Sequence, residues 1–197
     1  RAVGGGEEIV PVSHIRKQIA QHMKASLEVS ARAWNAVEVN MENVTRLRER
    51  TKEAYKAREG FSVTYMQFLT RAVTEALLAN PMVNSELRGE EIALKHFVNM
   101  VIAVSYDEGL IVPVLKGTDT MNLLGIARGI NDLATRARAK KLQPDEVHGG
   151  TFTITNPGPF GSLISVPIIN QPRAGILGFD SVEKRPVVID DTIAIRH

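Results

Sequence analysis

The chain has no cysteine in its 197 residues. That excludes a disulfide framework, a cysteine nucleophile and any thiolate metal site, and it fits a reducing compartment. An excess of either charge is also missing. The 24 Lys+Arg and 22 Asp+Glu leave a formal net charge of +2 with histidine neutral, although the sequence pI is near 9.0. So small an imbalance is no electrostatic footprint for nucleic acid, and no nucleic-acid partner is expected. No apolar run approaches the ~18 residues that a membrane span needs. Residues 1–8 lack the apolar stretch of a signal peptide, and no membrane partner is expected. There is no GxGxxG, P-loop, HExxH, GxSxG or EF-hand loop. The five histidines, at 14, 22, 96, 148 and 197, are not at metal-ligand spacing. His14 and His22 fall about two turns apart on one helix but lack a third ligand, so no metal is expected.

What is present belongs to a globular protein. Hydrophobic residues make up 44% and charged residues 23%, a balance that disordered chains do not show. No Pro/Gly/Ser-rich stretch divides the interior. Residues 1–8, with Gly4-Gly5-Gly6, are expected to be the end of a linker, and residues 9–197 a single domain large enough for a core without disulfides.

Periodicity supplies the elements. Ser13 is placed as an N-cap, followed by Ile15, Ile19, Met23 and Leu27 at helical spacing. Residues 34–41 alternate in part and predict a strand. Val44, Leu47, Thr51, Ala54 and Tyr55 mark a second helix that stops near Gly60. A third runs over about 62–80, with a wide apolar stripe closed by Pro81. Val98, Met100, Ile102 and Val104 alternate as a strand. Residues 110–115 are nearly continuously apolar, which predicts a strand buried on both faces, and Asp107-Glu108-Gly109 reads as the turn between. Leu123 to Ala137 repeats as a helix with basic residues at its C-terminal end. Short strands are expected at 151–155, 174–177 and 187–195. The order is that of a mixed α/β domain with helices packed on a sheet. Pattern alone goes no further toward function.

One segment does. Gly149-Gly150-Thr151-Phe152-Thr153-Ile154-Thr155-Asn156-Pro157-Gly158 continues through Pro159-Phe160-Gly161-Ser162 to Pro167-Ile168-Ile169-Asn170-Gln171-Pro172. Gly175-Ile176-Leu177-Gly178 and Lys184-Arg185-Pro186-Val187-Val188 follow. This closely resembles the catalytic core of the dihydrolipoamide acyltransferases, the E2 components of 2-oxoacid dehydrogenase complexes. Ile15-Arg16-Lys17-Gln18-Ile19-Ala20-Gln21-His22-Met23, Leu47-Arg48-Glu49 and Gly109-Leu110-Ile111-Val112-Pro113-Val114 match it too. The resemblance runs in order from about residue 9 to residue 195.

The resemblance implies a chloramphenicol acetyltransferase-like fold, a mixed sheet flanked by helices, forming homo-trimers that build cubic or dodecahedral cores. It implies acyl transfer between dihydrolipoyl-lysine and coenzyme A, with E1 and E3 components as partners through domains outside this segment. The location would be the cytoplasm of a bacterium or archaeon, with a mitochondrial matrix as the second choice. Both nucleophiles are then substrate thiols, which suits a domain without cysteine.

By the same resemblance Thr155 is the hydroxyl that stabilises the tetrahedral oxyanion; as a bare residue it is a β-branched strand filler. Asn156 and Gly178 match the coenzyme A channel, against a turn residue and a tight backbone approach. Arg48, Thr64 and Ser105 match coenzyme A-side positions, against a solvated helix face, a helix start and a strand-end hydroxyl. Arg16 matches an arginine that pairs with an aspartate of the catalytic motif, against a surface arginine on a basic helix.

The family's catalytic histidine lies in an Asp-His-Arg-x-x-Asp-Gly motif that follows the strand ending here at Arg196-His197. His197 has neither the Asp before it nor the Arg and Asp-Gly after it. Residues 9–197 are therefore expected to be a C-terminally incomplete acyltransferase core. The alternative is a scaffold core of the same family that lacks the histidine. Residues 30–35 also depart from the Pro-His-containing stretch many members carry.

Overall fold

The computed structural model describes residues 2–3, 6–106 and 109–197. Its elements run β1 (Ala2–Val3), β2 (Glu7–Glu8), α1 (His14–Val29), α2 (Glu42–Glu59), α3 (Tyr65–Ala79), β3 (Ser85–Arg88), β4 (Glu91–Leu94), β5 (Met100–Ile102) and β6 (Val104–Tyr106). They continue β7 (Gly109–Ile111), β8 (Val114–Leu115), α4 (Leu123–Arg138), β9 (Phe152–Thr155), β10 (Ile176–Gly178), β11 (Arg185–Ile189) and β12 (Thr192–Arg196). Of the expected linker end, residues 1, 4 and 5 lie outside the described set, as do Asp107 and Glu108 of the expected turn.

Local chemistry sets the helix ends. The Ser13 hydroxyl accepts from the Arg16 amide and starts α1. α2 stops at Gly60, whose φ of 79° is a left-handed value that glycine adopts without cost. Gln67 Oε1 accepts from the Thr64 amide at 3.0 Å, part of a capping box that opens α3. At the far end of α4, Arg136 bonds both Asp132 and Glu146. The Arg136 guanidinium, with the Gln143 amide, lowers the Glu146 carboxyl from its ordinary 4.5 to about 2.

That shift fixes a sign. Between 4.5 and about 2 the unfolded chain binds a proton that the folded chain refuses, so stability rises with pH across this window. Glu86, beside Arg88 and Lys95, behaves likewise. Urea midpoints are expected to hold steady from neutral pH down to the ordinary carboxylate range and then fall. Glu146→Gln should lower the neutral-pH midpoint and flatten the acid slope; an unchanged slope would show that this pair does not couple to folding.

The central sheet is mixed, in the order β10-β9-β5-β8. β10, β9 and β5 are parallel, and β8 runs against β5. Side chains alternate along each strand. Phe152 and Ile154 on β9 and Met100 and Ile102 on β5 join Leu77 and Ala137 in the main core, with Met66, Leu69, Val73 and Ile130 packed around them. The helices covering that face are therefore α3 and α4. The opposite face carries Val101 and Thr153, which are registered partners.

Three expected strands differ. Residues 187–195, expected as one strand, are a hairpin: β11 pairs antiparallel with β12, and Asp190 and Asp191 turn the chain at positive φ. Residues 34–41 form no strand. Trp34, Val37 and Val39 are exposed, and among the described residues no strand pairs with them. The segment is pinned near its end, where the Met41 amide donates to the His197 carbonyl and Arg185 pairs with Glu38. Alternation without a ladder partner does not make a strand. The apolar run 110–115 is also divided. Leu110 on β7 is 54% exposed, whereas Val114 and Leu115 on β8 are buried. Pro113 has no N–H for a ladder; its carbonyl accepts from Ile102.

Candidate active site at one end of the sheet

β9 and β10 emerge from the core side by side, with Thr155 registered to Gly178. The pairing continues one step further, because the Phe179 amide donates to the Thr155 carbonyl at 2.8 Å. Thr155 is half-buried, unlike the three buried residues before it on β9. Its hydroxyl has no hydrogen-bond partner among the described residues. Asn156 turns the chain: its Oδ1 accepts from the Gly158 amide at 3.2 Å, which leaves the side-chain N–H₂ available to donate. Two polar donors thus stand together at a strand end without internal partners.

Gly178 is glycine for a steric reason. A Cβ there would lie 2.7 Å from Ser165 Oγ. Gly158 is equally confined, since a Cβ would lie 2.5 Å from the Asp180 carbonyl oxygen. The loop after Thr155 and the chain after Gly178 are therefore in direct contact.

Phe179 carries the site outward. Its ring meets Tyr65 at a centroid distance of 6.3 Å. The Tyr65 hydroxyl bonds Thr45 Oγ1 at 3.0 Å, and the Arg48 guanidinium lies 5.3 Å over the same ring. Arg48 also donates from Nε to the Val63 carbonyl and from Nη1 to Glu49, which leaves Nη2 for another acceptor. Thr64 immediately precedes Tyr65, and its hydroxyl donates to Gln67 Oε1 at 3.1 Å. The structure thus links Thr155, Asn156 and Gly178 to Arg48 and Thr64 through Phe179 and Tyr65. Neither ring was singled out for the site from the sequence. Tyr65 read only as part of the apolar stripe of α3.

Ser105 lies on β6, beyond β5, at the sheet end where Thr155 emerges, because β5 and β9 are parallel and Ala103 bonds the Ile154 carbonyl. It is exposed and registered to Leu110. Arg16 stands apart. Its backbone serves the Ser13 cap, but its side chain has no hydrogen bond or ion pair among the described residues. α1 is attached through its other half: His22 bonds Asn170 at 2.9 Å and Ser26 donates to the Ile169 carbonyl at 2.6 Å. His197 is held by Glu42 at 2.8 Å. That contact, with Arg46, lowers the Glu42 carboxyl to about 2. Among the described residues no group of three His, Asp or Glu side chains is placed to hold a metal ion.

Comparisons with known proteins agree on one family. The model of the 2-oxoacid dehydrogenases acyltransferase (catalytic domain) matches residues 4–197. The lipoamide acyltransferase component of the branched-chain alpha-keto acid dehydrogenase complex of Bacillus subtilis is 42% identical over 196 residues, 99% of this chain. The chain spans less than half of that relative, 46%. A crystal structure of a probable dihydrolipoamide acetyltransferase from Listeria monocytogenes superposes with a TM-score of 0.94 at 42% identity, over 97% of this chain and 82% of that one. The cubic core of a pyruvate dehydrogenase multienzyme complex gives a TM-score of 0.93 at 29% identity, over 98% and 80%. The mixed sheet flanked by helices is thus the fold of these acyltransferase cores.

Proposed function

Because this chain belongs to the family of 2-oxoacid dehydrogenase acyltransferase catalytic domains, we propose that it moves an acyl group between dihydrolipoyl-lysine and coenzyme A. It does so as part of the core of a 2-oxoacid dehydrogenase complex. The observation that carries this reading is the Thr155 hydroxyl, without a hydrogen-bond partner among the described residues, paired through its strand to Gly178 and followed by Asn156, whose side-chain N–H₂ is available to donate.

The chemistry follows from those groups. A general base takes the proton of the coenzyme A thiol. Family resemblance assigns that role to the histidine of the family's Asp-His-Arg-x-x-Asp-Gly motif. The thiolate attacks the carbonyl carbon of the acyl-dihydrolipoyl thioester, a new C–S bond forms, and the carbonyl oxygen becomes an oxyanion. Thr155 Oγ–H donates to that oxygen, and Asn156 and Gly178 border the channel for coenzyme A. Collapse breaks the old C–S bond, and the leaving sulfur recovers the proton. Arg48, with Thr64 beside it, faces the nucleotide end of coenzyme A, and Ser105 contributes to the coenzyme A side from β6. Arg16 is the partner of the motif's aspartate.

Identity is equal, at 42%, to a branched-chain acyltransferase component and to a probable acetyltransferase, so the reading stops at acyl. Assembly is part of it. Val188, Ile193 and Ile195 share one face of the β11–β12 ribbon and are at least 66% exposed, an apolar face of the kind that marks an interaction surface. This supports a homo-trimer within a larger cubic or dodecahedral core. E1 and E3 components engage the complex, and the bacterial relatives support a cytoplasmic location.

The test is to supply the intact protein with acyl-dihydrolipoamide and coenzyme A and follow acyl-coenzyme A. Transfer supports the reading; none, with the protein folded and assembled, favours a scaffold core instead. Within an active protein, Arg48→Ala should raise KM for coenzyme A about tenfold with kcat nearly unchanged, the loss of one charge-assisted contact. A KM within twofold of wild type would remove Arg48 from the binding site.

A further inference from the structure

Family resemblance singles out no residue beyond Gly178 at this end of β10, yet the strongest polar cluster near the site lies two residues on. Asp180 Oδ1 accepts from Ser162 Oγ at 2.7 Å. Its Oδ2 accepts from the Ser165 amide at 3.2 Å and from Ser165 Oγ at 3.2 Å. The Ser181 amide adds a bond to the Ser162 carbonyl at 2.9 Å. No lysine, arginine or histidine pairs with Asp180 among the described residues. An ionised carboxylate accepts only, so both serine hydroxyls commit their protons to it.

Over 156–165 the loop so held has little else to hold it; farther on, Ile169 to Arg173 are tied to α1, Ser30 and Gly150. Beyond the single turn at Gly158–Phe160, no helix or strand forms until β10. Its apolar side chains point away from the core: Phe160 is 78% exposed, Leu163 64% and Ile164 60%. Yet it begins at Asn156, and it touches the β10 exit at the two places where a single methyl group would not fit, Gly158 against Asp180 and Gly178 against Ser165. A loop without core burial keeps one conformation only if polar contacts hold it there.

We propose that Asp180 is a positioning residue for acyl transfer: by clasping Ser162 and Ser165 it holds the 156–165 loop against the Thr155–Gly178 end of the sheet. This rests on the acyltransferase reading. Asp180 touches no reacting atom. It acts through the placement of Thr155 and Asn156, and a displacement of about 1 Å at such a site costs up to about 100-fold in rate. The Arg48–Tyr65 stack is held in addition by Val63, Glu49 and Thr45, so coenzyme A affinity should fall less than kcat when the clasp is lost.

The experiment compares Asp180→Ala, Asp180→Asn and Ser162→Ala with wild type in the intact protein. Asp180→Ala should lower kcat at least about tenfold with a smaller rise in KM for coenzyme A, and speed hydrogen exchange at the Ser165 amide. Asp180→Asn keeps a carbonyl acceptor and should recover most of the rate. A purely structural Asp180 would lower the melting temperature and leave kcat per folded protein unchanged, which overturns the proposal. Should Asp180→Ala not fold, Ser162→Ala decides: it deletes one contact, and a wild-type kcat again overturns the clasp. A wild type that itself transfers nothing removes the acyltransferase reading and the clasp together. A wild type that transfers, matched by every variant, removes the clasp alone.

Discussion

Thr155→Ala is expected to lower kcat for acyl transfer about 100- to 1,000-fold, the usual cost of deleting one oxyanion donor. The hydroxyl is suited to this by position. It stands at the end of a strand whose preceding residues are buried and whose backbone is tied to Phe179, so it need not reorganise when charge develops. It also has no partner to leave. Alanine removes the donor without disturbing the ladder, so KM for coenzyme A should change little, and Thr155→Ser should retain most of the rate. Steady-state kinetics on the three proteins check this. A Thr155→Ala enzyme within threefold of wild type would take Thr155 out of the mechanism.

One residue earlier, Ile154→Ala is expected to cost about 3–4 kcal/mol of folding stability, the middle of the range for burying a cavity in place of a large aliphatic side chain. Ile154 is 0% exposed and sits in the main core with Met100, Ile102 and Leu77. Its backbone is held on both sides, by β5 and by β10, so the strand cannot move in to fill the space. Leu110→Ala is the control: Leu110 is 54% exposed and should cost far less. Urea unfolding at matched protein concentration reads both. A loss below 1 kcal/mol for Ile154→Ala would mean that the site collapses, and that β9 is not the rigid support the Thr155 hydroxyl requires.

These two neighbours differ in how readable they were. Ile154 is legible from residue type: an aliphatic β-branched residue inside a short β-branched run reads as a buried strand residue. Thr155 is a polar residue at the end of the same run, and periodicity gives it no distinction. Only the surrounding motif marked it, and the structure then placed it beside Gly178, 23 positions away. The helices were legible because caps and stripes are local. Ser13 and Gly60 do at α1 and α2 what a side chain, or the lack of one, dictates. The segment 34–41 was not, because a strand needs a neighbour as well as alternation, and its alternating side chains face solvent.

By itself, then, the sequence determined the α/β class, the presence of the four helices, the lack of a cysteine nucleophile and the family to which the chain belongs. Each of these rests on residue type and short-range spacing, which the linear chain carries directly. The tertiary structure alone decided that Phe179 and Tyr65 bridge Thr155 to Arg48, that Asp180 binds serines 18 and 15 positions away, and that Leu110 faces outward while Val114 and Leu115 face in. Those outcomes depend on which strands lie side by side and in what register. Register is set by burial across the whole sheet rather than by any segment alone.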